Sequence, residues 1–175
     1  AVIPFAVALG IYTGILLSAF GARPFWNSGV LGILFLVSGL STAAALVVLI
    51  ARQKSGKELF TGLDFVLILA EIALIALVLI SLASGSGQHI DALQIIMGGP
   101  YTFEFWVVFF CIGLVIPLIL EILEMTGISK SLAMLAPVLV LVGGYALRQV
   151  VMDAGQESTW TRYETQYSAE LLQRL

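Results

Sequence analysis

FTGLDFVLILAEIALIALVLISLAS, residues 60–84, runs for 25 residues with two charged side chains, Asp64 and Glu71. About 20 apolar residues in a helix cross a bilayer core of roughly 30 Å, so this stretch reads as a membrane span that carries two acids at depth. The rest of the chain follows the same rule. Of 175 residues 60% are hydrophobic and 11% charged, with a mean hydropathy of +1.07. Soluble domains carry about a quarter charged residues, so a soluble protein is excluded. Five apolar segments can be drawn, at about 1–20, 28–51, 60–84, 104–124 and 131–151, each near the length a span needs. The fold class is all-α, a polytopic transmembrane helix bundle over 1–151 with a polar C-terminal tail over 152–175. Ala1 opens directly into apolar sequence, without Met or a charged leader, and an odd number of spans beginning this way reads as a truncated start.

The breaks between spans are GARPFWNSG, RQKSGKE, the longer SGSGQHIDALQIIMGGPYTFEF read as a Gly-rich loop, and MTGISKS. Arg52, Lys54 and Lys57 mark the second and Lys130 the fourth, against Arg23 alone in the first. Lys and Arg in short loops resist translocation, which sets loops 52–58 and 125–131 on the cytoplasmic side and the tail outside. Arg162 and Arg174 in the tail work against this. Trp26, Tyr101 and Trp106 then stand as interface anchors. The tail is either a docking segment, with Leu171, Leu172 and Leu175 as its apolar patch, or a solvated one.

Several chemistries are excluded by counting. One cysteine, Cys111, permits no disulfide, iron–sulfur cluster or thiolate zinc site, and reads as a small buried hydrophobe. One histidine, His89, cannot supply the two axial ligands of a membrane haem. A net charge of −3 gives no basic face for nucleic acid, and no glycine-rich phosphate loop is present. Any redox partner of this protein must therefore be a diffusible molecule.

Ionisable groups in a span cost roughly 2.5–3.5 kcal/mol at the centre, so each needs a reason. Asp64 and Glu71 are seven residues apart, two turns along one face and about 10 Å in rise, and form a carboxylate ladder. Glu121 and Glu124 lie in the last turns of the fourth segment, Glu124 at headgroup level. Arg148, placed in the last turn of the fifth segment, reads as a snorkelling cation or a member of the route. Glu104 suits the dipole at a helix N-terminus. Asp64, Glu71, Glu121 and Arg148 are the proton-pathway candidates. The alternative is that each is hydrogen-bonded inside the bundle and only sets packing.

IYTGILLSAFGARPFWNSGVLGILFLVSGLSTAAAL (11–46), GGPYTFEFWVVFFCIGLVIPLILEIL (98–123) and GGYALRQVVMDAGQ (143–156) resemble the membrane subunits of the NrfD/polysulfide reductase family. The likeness is most specific in the first stretch, with its Tyr-Thr-Gly helix and Ala-Arg-Pro-Phe-Trp-Asn loop. The resemblance implies the C-terminal portion of an eight-span protein made of two four-helix bundles. It also implies the quinone-interacting integral membrane subunit of a multisubunit oxidoreductase, of polysulfide, thiosulfate or nitrite reductase type. Such a subunit binds menaquinone or ubiquinone non-covalently, carries no haem or cluster, and exchanges electrons with a [4Fe–4S] ferredoxin-like subunit serving a catalytic reductase subunit. The resemblance implies that Tyr12, with Thr13 beside it, is the quinone contact; Arg23 would stabilise the reduced ring or dock an acidic partner surface, or else sit on lipid headgroups as an interfacial arginine. The competing reading is a transporter-like proton or cation carrier without quinone chemistry. No inverted repeat of the kind common in transporters is found.

Overall fold

The computed structural model describes residues 2–19, 23–51, 53–126 and 134–158. Arg52, Lys130, Arg162, Arg174 and the tail beyond Ser158 lie outside the described residues. Helices α1 (Val2–Ala19), α2 (Val30–Ile50), α3 (Lys54–Ala83), α4 (Gly87–Met97), α5 (Glu104–Met125) and α6 (Leu135–Glu157) follow in order, and the described residues contain no strand. The helices α2, α3, α5 and α6 are long and apolar enough to cross a membrane, and the Val7–Ala19 part of α1 is a shorter apolar helix. The protein is thus a multi-pass helical membrane bundle. In hydrocarbon every backbone N–H and C=O must be paired within the protein, which leaves the helix as the available form for segments of this kind.

Three residues join α2 to α3, so the two helices run antiparallel as neighbours. Helix α6 packs on both α5 and α2, and α3 touches α5, which closes α2, α3, α5 and α6 into a ring around one core. Helix α1 lies outside the ring on α2, seated where Gly14 meets the Gly32 backbone. Gly113 of α5 and Gly143 of α6 likewise meet backbone to backbone, an approach that a Cβ on either would block. Small residues at crossings are how helices in lipid gain close contact without a hydrophobic driving force.

Four features depart from the sequence expectation. The third loop contains α4, an 11-residue helix whose Ala92 and Ile96 are buried against the bundle. Its apolar stripe is short and interrupted by Asp91 and Gln94, so it has no span-like signal. Helix α6 continues six residues past the expected end at 151, taking Asp153 and Gln156 into its last turns. Arg148 therefore stands nine residues from the helix end, roughly 14 Å along the axis, and lies at depth instead of in the terminal turn. Trp26 is packed inside instead of anchoring an interface: it is 8% exposed, and its Nε1 donates to the Val151 carbonyl at 2.8 Å. Gly155 leaves the space that the indole fills. Cys111, expected to be buried, is exposed.

The first half of α5, Glu104–Val115, is wound as a π-helix and the second, Ile116–Met125, as an α-helix. Pro117 lies at the junction, where it has no N–H to continue the ladder. Tight hydrogen bonding also organises the end of the bundle formed by residues 23–29. Arg23 Nη1 donates to the carbonyls of Gln156 and Ser158, satisfying acceptors that the C-terminus of α6 leaves open. The Ser158 hydroxyl donates to Gly155 O at 2.7 Å. Tyr101 donates to Glu157 at 3.1 Å. Burial, together with Glu157, Asp153 and Glu104 nearby, raises the Tyr101 phenol above its ordinary pKa and keeps it a donor.

Candidate functional site: a polar column inside the bundle

The inward positions of α3 are Thr61, Asp64, Ile68, Glu71, Ile75, Val78 and Leu82, all buried. They alternate by three and four residues, the spacing that keeps one helix face against its neighbours. Those of α2 are Leu31, Leu34, Ser38, Ser41, Ala45 and Val48, with the same alternation. Because the helices are antiparallel, the hydroxyls of α2 meet the acids of α3. Ser41 Oγ donates to Asp64 Oδ1 at 2.6 Å, fully buried. Ser38 lies opposite Glu71, and Arg148 is the cation that acts on Glu71 electrostatically. Ser38 Oγ closes no hydrogen bond of normal geometry.

Glu121 of α5 faces Asp64 from across the ring. It is 2% exposed, and its Oε2 is buried without a hydrogen-bond partner. Leaving a buried polar atom unpaired costs about 1–3 kcal/mol, more than a typical hydrogen bond contributes, which singles this carboxyl out. Glu124, one turn nearer the 51–53 end, lies in the field of Lys57 and Glu58. Lys57 itself reaches Met134 across the end of the bundle, Nζ to Sδ 3.7 Å.

Arg148 is half-buried at the seam of α2 and α6. Its Nη1 donates to the Gly144 carbonyl at 2.5 Å, and Nη2 comes to 3.6 Å from where a Cβ on Gly39 would stand. Glycines on both helices thus cradle the guanidinium. Together Glu124, Glu121, Asp64, Ser41, Glu71, Ser38 and Arg148 form a column from the 51–53 end to mid-depth. The structure brings the acids and Arg148 of the sequence reading together, and adds Ser38 and Ser41, which that reading did not place in the proton route. The three-and-four alternation of α2, with two serines in an otherwise apolar seam, was the available signal. No group of three or more His, Cys, Asp or Glu that would hold a metal occurs among the described residues.

Tyr12 and Thr13 stand apart from this column. Tyr12 is 55% exposed on the outward face of α1, in a stripe with Phe5, Leu9 and Leu16; Thr13 is exposed beside it. Arg23 is engaged with the α6 terminus.

The family model described as Polysulphide reductase, NrfD matches residues 1–159. The sequence is 35% identical over 161 residues to Protein NrfD of Escherichia coli (strain K12), covering 86% of this protein and 50% of that one. It is 33% identical over 160 residues to the Protein NrfD homolog of Haemophilus influenzae, covering 86% and 50%. With the C chain of polysulfide reductase from Wolinella succinogenes it shares 33% identity over 162 residues, covering 86% and 51%. The sequence spans about half the length of these curated relatives. No solved structure matches it. With a match across nearly its whole length, joined to a multi-pass helical bundle, this protein belongs to the NrfD/polysulphide reductase family.

Proposed function

We propose that this protein belongs to the membrane subunit of a respiratory oxidoreductase complex. In this reading the subunit exchanges electrons between the menaquinone or ubiquinone pool and a [4Fe–4S] ferredoxin-like subunit, which serves a separate catalytic reductase subunit. Membership of the family supports the setting, and one relative's name makes it part of a polysulfide reductase. The observation that carries the reading is the buried polar column. Two serines, three buried carboxylates and an arginine inside an apolar bundle are costly to place there, and groups of this kind in membrane spans commonly mark proton or ion pathways.

A bound quinol supplies two electrons and two protons. Tyr12 would hold the head group, donating its hydroxyl to a carbonyl of the oxidised ring or accepting from a hydroxyl of the quinol, and Thr13 would offer a second hydroxyl on the same exposed face of α1. Arg23 acts at one remove, holding the segment after α1 against α6. Glu71, Asp64 and Glu121 take up a proton and pass it towards the 51–53 end, with Ser41 orienting Asp64 and Arg148 setting the field at Glu71. That end is cytoplasmic by the lysine and arginine distribution, and the 23–29 end receives the iron–sulfur partner.

The test is oxidation of a menaquinol analogue by the intact complex carrying Tyr12→Phe. Reduced turnover with weaker quinol affinity is expected, and unchanged values remove Tyr12 from the site. A second reading, a proton or cation carrier without quinone chemistry, is favoured by the unpartnered Glu121 Oε2 beside Asp64. Ion movement that persists with no quinol dependence would select it.

A further inference from the structure

The polar column ends abruptly. Beyond Glu71, the inward positions of α3 are Ile75, Val78 and Leu82, which extend about 16 Å further towards the 23–29 end. Leu34 of α2, Phe105 of α5, and Leu147 and Val151 of α6 close around Ile75 and Val78. The space they leave is about 20 Å³, and its lining is wholly apolar. A water needs roughly 10–15 Å³ and two to four polar partners, so this void has room for about one water and nothing to hold it. Above it, at the 23–29 end, the Trp26 indole is engaged with Val151 O and the Ser158 hydroxyl with Gly155 O, while the buried Ser28 hydroxyl has no partner there.

We propose that this apolar block is an insulating plug which closes the polar column on one side, so that its carboxyls exchange protons only with the 51–53 face of the membrane. The inference rests on the column being a proton route, as argued above, and it adds the direction in which the route is open. A proton crosses a protein interior along waters or titratable groups, and from Ile75 to Leu82 the inward face of α3 has no titratable group and borders only a small apolar void without polar partners for water. A column open at both ends would be a leak that dissipates the membrane gradient. Val78 and Ile75 are therefore as much a part of proton handling as Glu71, although neither carries a proton.

Two measurements test the proposal, and neither needs quinol turnover, so loss of the quinone reading leaves both informative. In the first, the intact wild-type protein is inserted in one orientation in liposomes with impermeant buffers. Infrared carboxyl bands, assigned with Asp64→Asn and Glu121→Gln, are followed while the pH is stepped on each side separately. The bands should follow the pH at the 51–53 face alone; a response to the 23–29 side, or to neither side, overturns the proposal. In the second, hydroxyls are introduced by Ile75→Thr with Val78→Thr, and passive proton leak is driven by a potassium diffusion potential. The leak should rise by roughly an order of magnitude over wild type, because each hydroxyl gives an intruding water a partner. Adding Glu71→Gln should return it to the wild-type level. An unchanged leak in a variant that melts as wild type does, or a rise indifferent to Glu71→Gln, overturns the proposal.

Discussion

Helix α3 presents one continuous buried face, yet its two halves differ in chemistry. From Thr61 to Glu71 the face is polar at three of four positions and meets serines, a carboxylate and an arginine on three other helices. From Ile75 to Leu82 it is wholly apolar and meets leucine, phenylalanine and valine. Both halves are equally buried and follow the same three-and-four spacing. The difference teaches that burial and periodicity fix where a side chain points, whereas the chemistry of the facing helix decides whether that position holds apolar packing or a buried polar contact. The 23–29 end is tied down by hydrogen bonds of Arg23, Trp26, Ser158 and Tyr101, while at the other end Lys57 and Glu124 lie in each other's field.

The sharpest break between the halves should come from Glu71→Gln. Proton uptake or release by the reconstituted complex should slow about a hundredfold, the usual weight of a positioned acid or base, with assembly unchanged. Equal proton movement per electron in variant and wild type would make the ladder structural. Next comes the crossing that joins the halves. Gly143→Val drives a side chain into the Gly113 backbone, and should lower stability by about 1–3 kcal/mol, read by thermal denaturation in detergent.

A finer contrast pairs one hydrogen bond from each region. Ser41→Ala removes the bond to Asp64 and Trp26→Phe the bond to Val151. Each should cost about 1 kcal/mol of stability, but only Ser41→Ala should also alter proton-transfer rates. Rate changes of the same size in both would erase the distinction. The smallest effect belongs to Tyr101→Phe at the exposed rim, where the melting temperature should not change resolvably.

Much of this was legible in the amino-acid order. The apolar runs located the helices because lipid leaves the backbone no alternative, and the two acids of residues 60–84 stood out for their cost at depth. The depth of Arg148 was not legible: Asp153, Gln156 and Glu157 look like loop residues, and they are helical where Arg23, distant in sequence, caps the α6 carbonyls. Trp26 looked like an interface anchor for the same reason, since Gly155 makes room for it only once the protein is folded. Helix α4 was hidden by its short stripe. The partnership of Ser41 with Asp64 was hidden because it is a fact about two antiparallel helices, not about either one.

The most direct measurement is therefore photolabelling of the intact complex with an azido-quinone, followed by mapping of the labelled peptide. Label on α1 at or beside Tyr12, displaced by excess menaquinol, is the predicted result. Label that is absent from α1, or that resists displacement, would contradict the account.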